Sequence, residues 1–142
     1  KRGEGFTNVM QGAENVILTP HVGGSTMEAQ EAISVDAAEK LVKFVNRGTT
    51  TGAVNVPNVD LPSQTVDGAR SHRILNFHRN VPGVLGKFHE AASSLGVNIT
   101  GQYLRTVGDV GYVVLDADPS GAEALKDAMD GIEESVRTRM LW

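Results

Sequence analysis

Two groups of residues in this chain have side chains of the kinds that bind or react with small molecules. The first group centres on His21, which follows the apolar run 15–19 and Pro20. Open α/β sheets place ligands at the carboxyl ends of their strands, and imidazole titrates near neutral pH, so His21 suits a general acid or base. Gly23 and Gly24 would let a ligand approach the backbone closely. The residues alone equally allow a surface histidine and a tight turn before a helix.

The second group lies where a predicted strand gives way to a predicted helix. It contains His78 and Asn80, followed by Pro82 at a position that suits the first turn of a helix. The free amides and the dipole of a helix N-terminus favour a carboxylate. Asn98 adds another side-chain amide, and amide and imidazole groups together can hydrogen-bond a small polar ligand. The alternative is that Asn80 caps the helix and Asn98 ends a turn.

The chain up to residue 71 predicts few regular elements. The apolar run 15–19 predicts a buried strand. Ser25 and Glu28 have the spacing of a capping box, which predicts a helix that continues to Arg47 and stops at Gly48. The apolar stripe of this helix contains Ile33, Ala37, Leu41 and Phe44. Residues 53–56 are strand-like, and the segment 58–71, with its Pro, Gly, Ser and Thr residues, predicts a linker.

From residue 72 onward the chain alternates compactly between strand and helix patterns. Strands are predicted at 73–78, 97–105, 112–117 and 135–141, and helices at 82–95 and from the Ser120 and Glu123 capping box to Asp130. The order βαββαβ predicts a four-stranded antiparallel sheet with both helices on one face. A unit of about 70 residues buries little core, so we expect it to pair with a second copy.

Composition excludes several classes of protein. The 142 residues are 40% hydrophobic and carry a formal charge of −4, and no apolar run approaches the roughly 20 residues that a membrane span needs. The order βαββαβ also occurs in RNA-recognition motifs, but residues 72–142 hold 7 basic against 9 acidic residues, and Phe77, Tyr103 and Tyr112 are the only aromatic candidates for the sheet, so nucleic-acid binding is excluded. Cysteine is absent and the four histidines lack metal-ligand spacing, so no metal site is expected.

The chain opens without Met, and we expect it to be part of a longer protein.

Several motifs resemble one family of dehydrogenases. Residues 15–30, NVILTPHVGGSTMEAQ, resemble the last catalytic segment of the D-2-hydroxyacid dehydrogenases, and residues 52–57, GAVNVP, resemble the point where that family's chain leaves its nucleotide-binding domain. The pattern His78-x-Asn80-x-Pro82-Gly83, with residues 96–99 and 102–103, resembles the ACT regulatory domain that ends the serine-inhibited members. Together these motifs follow the family's order from residue 15 to residue 142.

The resemblance implies a fold, a domain organisation and an activity. Residues 1–57 would be the tail of the Rossmann-type α/β dehydrogenase domains, 58–71 a linker, and 72–142 a ferredoxin-like α+β ACT domain. The longer protein would be a cytoplasmic enzyme that uses NAD to oxidise 3-phosphoglycerate to 3-phosphohydroxypyruvate, at the start of L-serine synthesis. Its ACT domains would join copies into a homo-oligomer. No strand followed by GxGxxG is present, so we expect this segment alone to bind NAD poorly and to be inactive.

The resemblance also assigns roles to the two groups of residues. His21 would be the catalytic acid or base, and His21, Val22, Gly23 and Gly24 would contact the cofactor. The effector L-serine would be held by His78, Asn80, Asn98 and the backbone of Ile99. A serine-sensitive member has a Gly-Gly hinge where this chain has Arg70 and Ser71. The alternative is therefore an ACT module that binds a different amino acid, or that only forms dimers.

Overall fold

The structure is a computed structural model that describes residue 5 and residues 7–62, 65–66 and 69–142. The helices are α1 (Met27–Arg47), α2 (Val84–Ser94) and α3 (Ala122–Asp130). The strands are β1 (Thr65–Val66), β2 (Ala69–Arg70), β3 (His72–Arg79), β4 (Ile99–Val107), β5 (Val110–Ala117) and β6 (Ser135–Leu141). Two compact units are present, Lys1–Ala37 and Ala38–Trp142.

The second unit contains a four-stranded sheet in the order β4-β5-β3-β6, with every neighbouring pair antiparallel. Together with α2 and α3 this gives the order βαββαβ, so the predicted ferredoxin-like fold is confirmed. Strands β4 and β5 form a hairpin whose tight turn uses Gly108 at φ 56°, a left-handed conformation that favours glycine. β4 and β6 are the two edge strands of this sheet.

One face of the sheet packs against α2 and α3. The buried side chains of this core are Ile74, Val84, Phe88, Ala92, Val97, Val113, Leu115, Ala117, Leu125 and Met129. Both helices therefore lie on one face, as predicted. The predicted capping box of Ser120 and Glu123 is wrong, because Gly121 in a left-handed conformation precedes α3 and no side chain caps the helix.

The opposite face of the sheet is covered by residues that precede it in the chain. Val59 is fully buried and packs with Leu75, Tyr112 and Val114, and Leu61 lies beside them. The Thr50 hydroxyl holds this segment in place by accepting from the Val59 amide at 2.8 Å and donating to the Pro57 carbonyl at 2.6 Å. Part of the predicted linker 58–71 is thus packed core. The same predicted linker also contains β1 and β2, which pair with each other, and Arg70 lies in β2. The predicted boundaries 1–57, 58–71 and 72–142 stay a prediction.

Side chains from the sheet also hold the C-terminal end of α1. Arg73 forms a buried ion pair with Asp116 at 2.6 Å and donates to the Arg47 carbonyl at 3.0 Å. The Tyr112 hydroxyl donates to the Gly48 carbonyl at 2.6 Å, and Arg139 donates to the carbonyls of Phe44 and Val45. The last carbonyls of a helix have no partner within the helix, so these sheet side chains satisfy them.

The first unit departs from two predictions. Residues 15–19 form no strand, and Ile17 is 89% exposed, because a strand needs a hydrogen-bonded neighbour and no described strand runs beside this segment. The capping box of Ser25 and Glu28 is wrong, because Thr26 accepts from the Ala29 amide at 3.1 Å and the Ser25 hydroxyl donates to the His21 carbonyl. α1 itself is confirmed, and it ends at the predicted residue.

Two further observations concern the region before the sheet. Residues 53–56 form turns and bends instead of the predicted strand, and Val54 is fully exposed. No residue of α1 is buried, so its predicted apolar stripe faces solvent over most of its length. Among the residues that the structure describes, no helix combines the length and apolarity that crossing a bilayer requires.

Candidate functional site

His78 lies near the end of β3, on the face of the sheet that the two helices cover. The residue is only 3% exposed, and its ring meets Phe88 of α2 edge-on, with 5.4 Å between the ring centroids. Burial disfavours the imidazolium, so it lowers the pKa of His78 below the ordinary value of 6.5, and hydrogen bonding with the Asn76 backbone offsets part of this shift. The neutral imidazole is therefore the form present near pH 7.

Asn76 connects His78 to β6 through a polar network that is buried at Asn76 and partly buried at β6. The Asn76 Oδ1 atom lies 3.2 Å from His78 Nδ1. The Asn76 amide nitrogen donates to Ser135 Oγ at 2.9 Å and to Thr138 Oγ1 at 2.8 Å. Ser135 in turn donates to the Met129 carbonyl at 2.5 Å. Buried polar groups are costly unless they are paired, and this network pairs them.

Gly111 provides the space that the His78 ring occupies. It lies opposite His78 in the pairing of β3 with β5. A Cβ atom at Gly111 would lie 2.2 Å from His78 Nε2, so a larger residue there would displace the imidazole. In the part of the chain that the structure describes, no side chain or backbone group hydrogen-bonds Nε2. The ring thus has one nitrogen paired with Asn76 and one nitrogen without a hydrogen-bond partner among the described residues.

Asn80 is exposed and lies in the loop that follows β3. Its side-chain amide donates to the Gly108 carbonyl at 2.9 Å, and its backbone amide donates to the Asp109 carbonyl at 2.9 Å. These bonds fix Asn80 beside the tip of the hairpin formed by β4 and β5. Asn80 does not cap α2, since Gly83 precedes that helix in a left-handed conformation with no side-chain cap. The first turn of α2 lies at this same end of the sheet.

Asn98 and Ile99 lie at the other end of the sheet. Asn98 is exposed, and its carbonyl accepts from the Asp118 amide at 3.0 Å. Ile99 pairs with Ala117 of β5, whereas His78 pairs with Gly111 of the same strand. The six residue steps from Gly111 to Ala117 correspond to about 20 Å along a strand. One copy of this unit therefore brings His78 and Asn80 together and leaves Asn98 and Ile99 remote from them.

The other predicted site, around His21, lies in the first unit. His21 borders a cavity of about 510 Å³ that Gln11, Leu18, Thr19 and Pro20 also line. His21, Val22 and Gly23 are exposed, and Gly24 is half-buried. Within the described ranges, no group of three or more His, Asp or Glu side chains is arranged to hold a metal ion.

The residues around His21 do not form a complete dinucleotide site. A Cβ atom at Gly23 would meet nothing within 4 Å, so this backbone is open to a ligand on one side. The sequence offers no glycine-rich turn between a strand and a helix to hold a pyrophosphate. Residues 21–24 could therefore supply only a small part of the contacts that NAD needs.

No protein-family model matches the chain. Comparison with curated proteins finds 45% identity to D-3-phosphoglycerate dehydrogenase of Escherichia coli (strain K12), over 96% of this chain and 33% of that protein. The Haemophilus influenzae protein of the same name is 40% identical over 98% of this chain and 33% of its own length. The chain is a relative of the D-3-phosphoglycerate dehydrogenases. It spans about a third of the length of these relatives.

The match to D-3-phosphoglycerate dehydrogenases extends beyond bacteria. The protein of that name from Dictyostelium discoideum is 39% identical over 94% of this chain and 31% of its own length. Among solved structures, the ACT domain from GTP pyrophosphokinase of Chlorobium tepidum has a TM-score of 0.44 and 14% identity, and covers 49% of this chain and 95% of that domain. The C-terminal domain of the MgtC protein from Mycobacterium tuberculosis has a TM-score of 0.44 and 13% identity, over 54% of this chain and 90% of that domain.

Three residues around His78, namely Asn76, Gly111 and Ser135, are not among those that the sequence pattern predicts for the site. Asn76 is a polar residue two positions before His78, and side chains two apart on a strand share a face. The sequence carries this signal, because the predicted strand 73–78 contains both residues. The contacts with Gly111 and Ser135 depend on how β5 and β6 pair with β3, which the sequence pattern does not specify.

Proposed function

We propose that this chain is the regulatory end of a D-3-phosphoglycerate dehydrogenase and that its ferredoxin-like unit binds L-serine as a feedback effector. The 45% identity to the Escherichia coli enzyme over 96% of this chain supports the enzyme. The placement of His78 and Asn80 beside the first turn of α2 supports L-serine as the ligand. An α-carboxylate suits the free amides of that turn, and the remaining groups of an amino acid suit an imidazole and a side-chain amide.

The observation that carries this proposal is the separation of the two half-sites within one copy. His78 and Asn80 lie about 20 Å along the strand direction from Asn98 and Ile99, by the strand rise. A single serine is far too short to span that distance. If all four residues hold one ligand, Asn98 and Ile99 must come from a second copy. The ligand would then lie between two copies and appear twice in a symmetric dimer.

One edge of the sheet could bring Asn98 and Ile99 of one copy beside His78 and Asn80 of the other. Antiparallel pairing of β4 with β4 of a second copy places the start of one strand beside the end of the other. The start carries Asn98 and Ile99. The end leads into the hairpin tip at Gly108, to which Asn80 is hydrogen-bonded. Pairing through the opposite edge strand, β6, would leave these groups far apart. The proposed homodimer therefore forms through β4.

In the longer enzyme we assign His21 to catalysis and the cofactor NAD to a site formed largely by other parts of the protein. His21 would accept the proton of the substrate hydroxyl as 3-phosphoglycerate is oxidised, which an imidazole does near neutral pH. In that enzyme, which we place in the cytoplasm, His21→Ala would lower turnover by roughly 100-fold.

Titration calorimetry of the 142-residue chain with millimolar L-serine tests the effector. We expect heat of binding with L-serine, and Asn80→Ala to weaken the affinity by about ten- to a hundred-fold with the circular dichroism spectrum unchanged. L-Alanine and D-serine are matched control ligands. If L-serine gives no heat while the chain still dimerises, the domain serves as an assembly module. Heat with another amino acid alone would replace L-serine with that effector.

A further inference from the structure

We propose that Asn76 is a positioning residue that holds the His78 ring in the tautomer with the proton on Nδ1, so that Nε2 presents a lone pair to the ligand. The group that lies against His78 is then a hydrogen-bond donor, either the hydroxyl or the ammonium of an amino acid. This inference rests on the proposed effector site and adds to it the direction of one hydrogen bond.

The direction follows from a chain of hydrogen bonds that starts at a backbone carbonyl. The Met129 carbonyl can only accept a hydrogen bond. The Ser135 hydroxyl, 2.5 Å away, must therefore donate its only proton to that carbonyl. Ser135 Oγ therefore accepts from Asn76, and the Asn76 atom that faces it at 2.9 Å must be the amide nitrogen. The other end of the amide is then the oxygen.

The amide oxygen of Asn76 in turn fixes the proton on His78. That oxygen lies 3.2 Å from His78 Nδ1, and an oxygen without a proton requires Nδ1 to be the donor. Because burial keeps the pKa of His78 low, the ring carries a single proton at pH 7. Nε2 is therefore unprotonated and accepts hydrogen bonds.

Burial favours this orientation of the Asn76 amide over the reversed one. Asn76 is fully buried, and reversing its amide would point two donors at His78 and leave the Ser135 hydroxyl facing an oxygen with no proton to share. An unpaired buried polar group costs more than a typical hydrogen bond contributes, so the reversed network is strongly disfavoured. On its other side the ring packs against Gly111, whose missing Cβ atom leaves the space that Nε2 occupies.

Long-range ¹H–¹⁵N correlation spectra of the full 142-residue chain, labelled with ¹⁵N-histidine and free of ligand, test the tautomer. We expect His78 to show protonated Nδ1 and bare Nε2. In Asn76→Ala this preference should be lost, and the affinity for L-serine should fall by about ten-fold. Gln102→Ala is the matched control for the spectrum, because it removes the amide that faces His89 Nε2 at 2.7 Å and should leave His78 unchanged.

A proton on Nε2 in the wild-type spectrum, or an unchanged tautomer in Asn76→Ala, would overturn the proposal. The wild-type spectrum decides the tautomer even if Asn76→Ala fails to fold. O-Methyl-L-serine lacks the hydroxyl proton and 3-hydroxypropionate lacks the ammonium, so a loss of binding by one of them identifies the donor, whereas full binding of both would contradict a donor at His78. If L-serine itself does not bind, the effector fails while the tautomer result stands.

Discussion

His78 combines a buried ring, a hydrogen bond with Asn76, and an Nε2 atom to which no described residue is hydrogen-bonded. Its side chain is 3% exposed and packs against Phe88, so a proton added to the ring would place a charge in an apolar setting. In the unfolded chain the same imidazole is hydrated and titrates normally. The difference between the two states links the stability of the unit to pH.

We expect the free energy of unfolding to fall as the pH drops below about 6.5, because the unfolded state then binds a proton that the folded state resists. The contribution of His78 is fully present above that value and is lost at lower pH. Urea unfolding at a series of pH values from about 8 to 5 measures it. His78→Gln should flatten this part of the profile, and His89→Gln, a change at an exposed histidine, should not. A wild-type profile that coincides with that of His78→Gln would contradict the account.

At this scale the sequence pattern predicts candidate ligand-binding residues but not their surroundings. His78 and Asn80 are predicted from their types and from the strand and helix that flank them. The burial of His78 and its bond with Asn76 were not predicted, because they depend on the packing of α2 and on the pairing of β3 with β6. Whether Asn98 joins these residues depends on a second copy, and no pattern in one chain encodes that arrangement.

Among the elements, the strands of the sheet are coupled to the C-terminal end of α1 by buried polar contacts. Arg73→Ala would leave Asp116 buried and unpaired and would release the carbonyls of Arg47 and Leu61. Breaking one partner of a buried ion pair typically costs about 3 to 5 kcal/mol, and we expect a loss of that size in urea unfolding. Arg105→Ala, at an exposed position of β4, should change stability by less than about 0.5 kcal/mol. Equal effects of the two changes would show that the contacts of Arg73 do not stabilise the fold.

Gly48 follows the last residue of α1, and two features of this position favour glycine: its backbone conformation and the lack of space for a side chain. It adopts φ 74°, and a Cβ atom there would lie 2.2 Å from a methyl carbon of Leu75. Gly96 adopts φ 66° with open space around it, so it isolates the backbone cost. We expect Gly96→Ala to cost about 1 to 2 kcal/mol, and Gly48→Ala to cost about 1 to 3 kcal/mol more because Leu75 must move. Thermal unfolding of both variants would measure the difference, and equal costs would mean that Leu75 yields freely.

Element prediction succeeded where a repeating pattern and its packing agree. β6 alternates apolar and polar residues and was placed at its observed bounds, and α1 was stopped correctly by Gly48. It failed at 15–19 and 53–56, where no described strand lies beside the apolar run to pair with it. The helix starts were misassigned because Thr26 and Gly121 provide the caps, and a capping-box spacing does not distinguish these geometries.

At the scale of the whole molecule, each proposed serine site is shared by two copies. Asn80→Ala damages one half-site and Asn98→Ala damages the other. Each variant alone therefore forms dimers in which both sites are defective. A mixed dimer contains one site with both defects and one site with none.

Calorimetry with L-serine on an equimolar mixture of Asn80→Ala and Asn98→Ala, allowed to exchange subunits, tests this claim most directly. Random pairing makes half of the dimers mixed, and each mixed dimer regains one of its two sites. We therefore predict that about a quarter of the wild-type sites return with wild-type affinity, since a two-fold symmetric interface repeats each contact twice. Sedimentation of mixtures tagged on one variant verifies that exchange has occurred. No recovery of tight sites in an exchanged mixture would contradict the shared site and place the whole ligand within one copy.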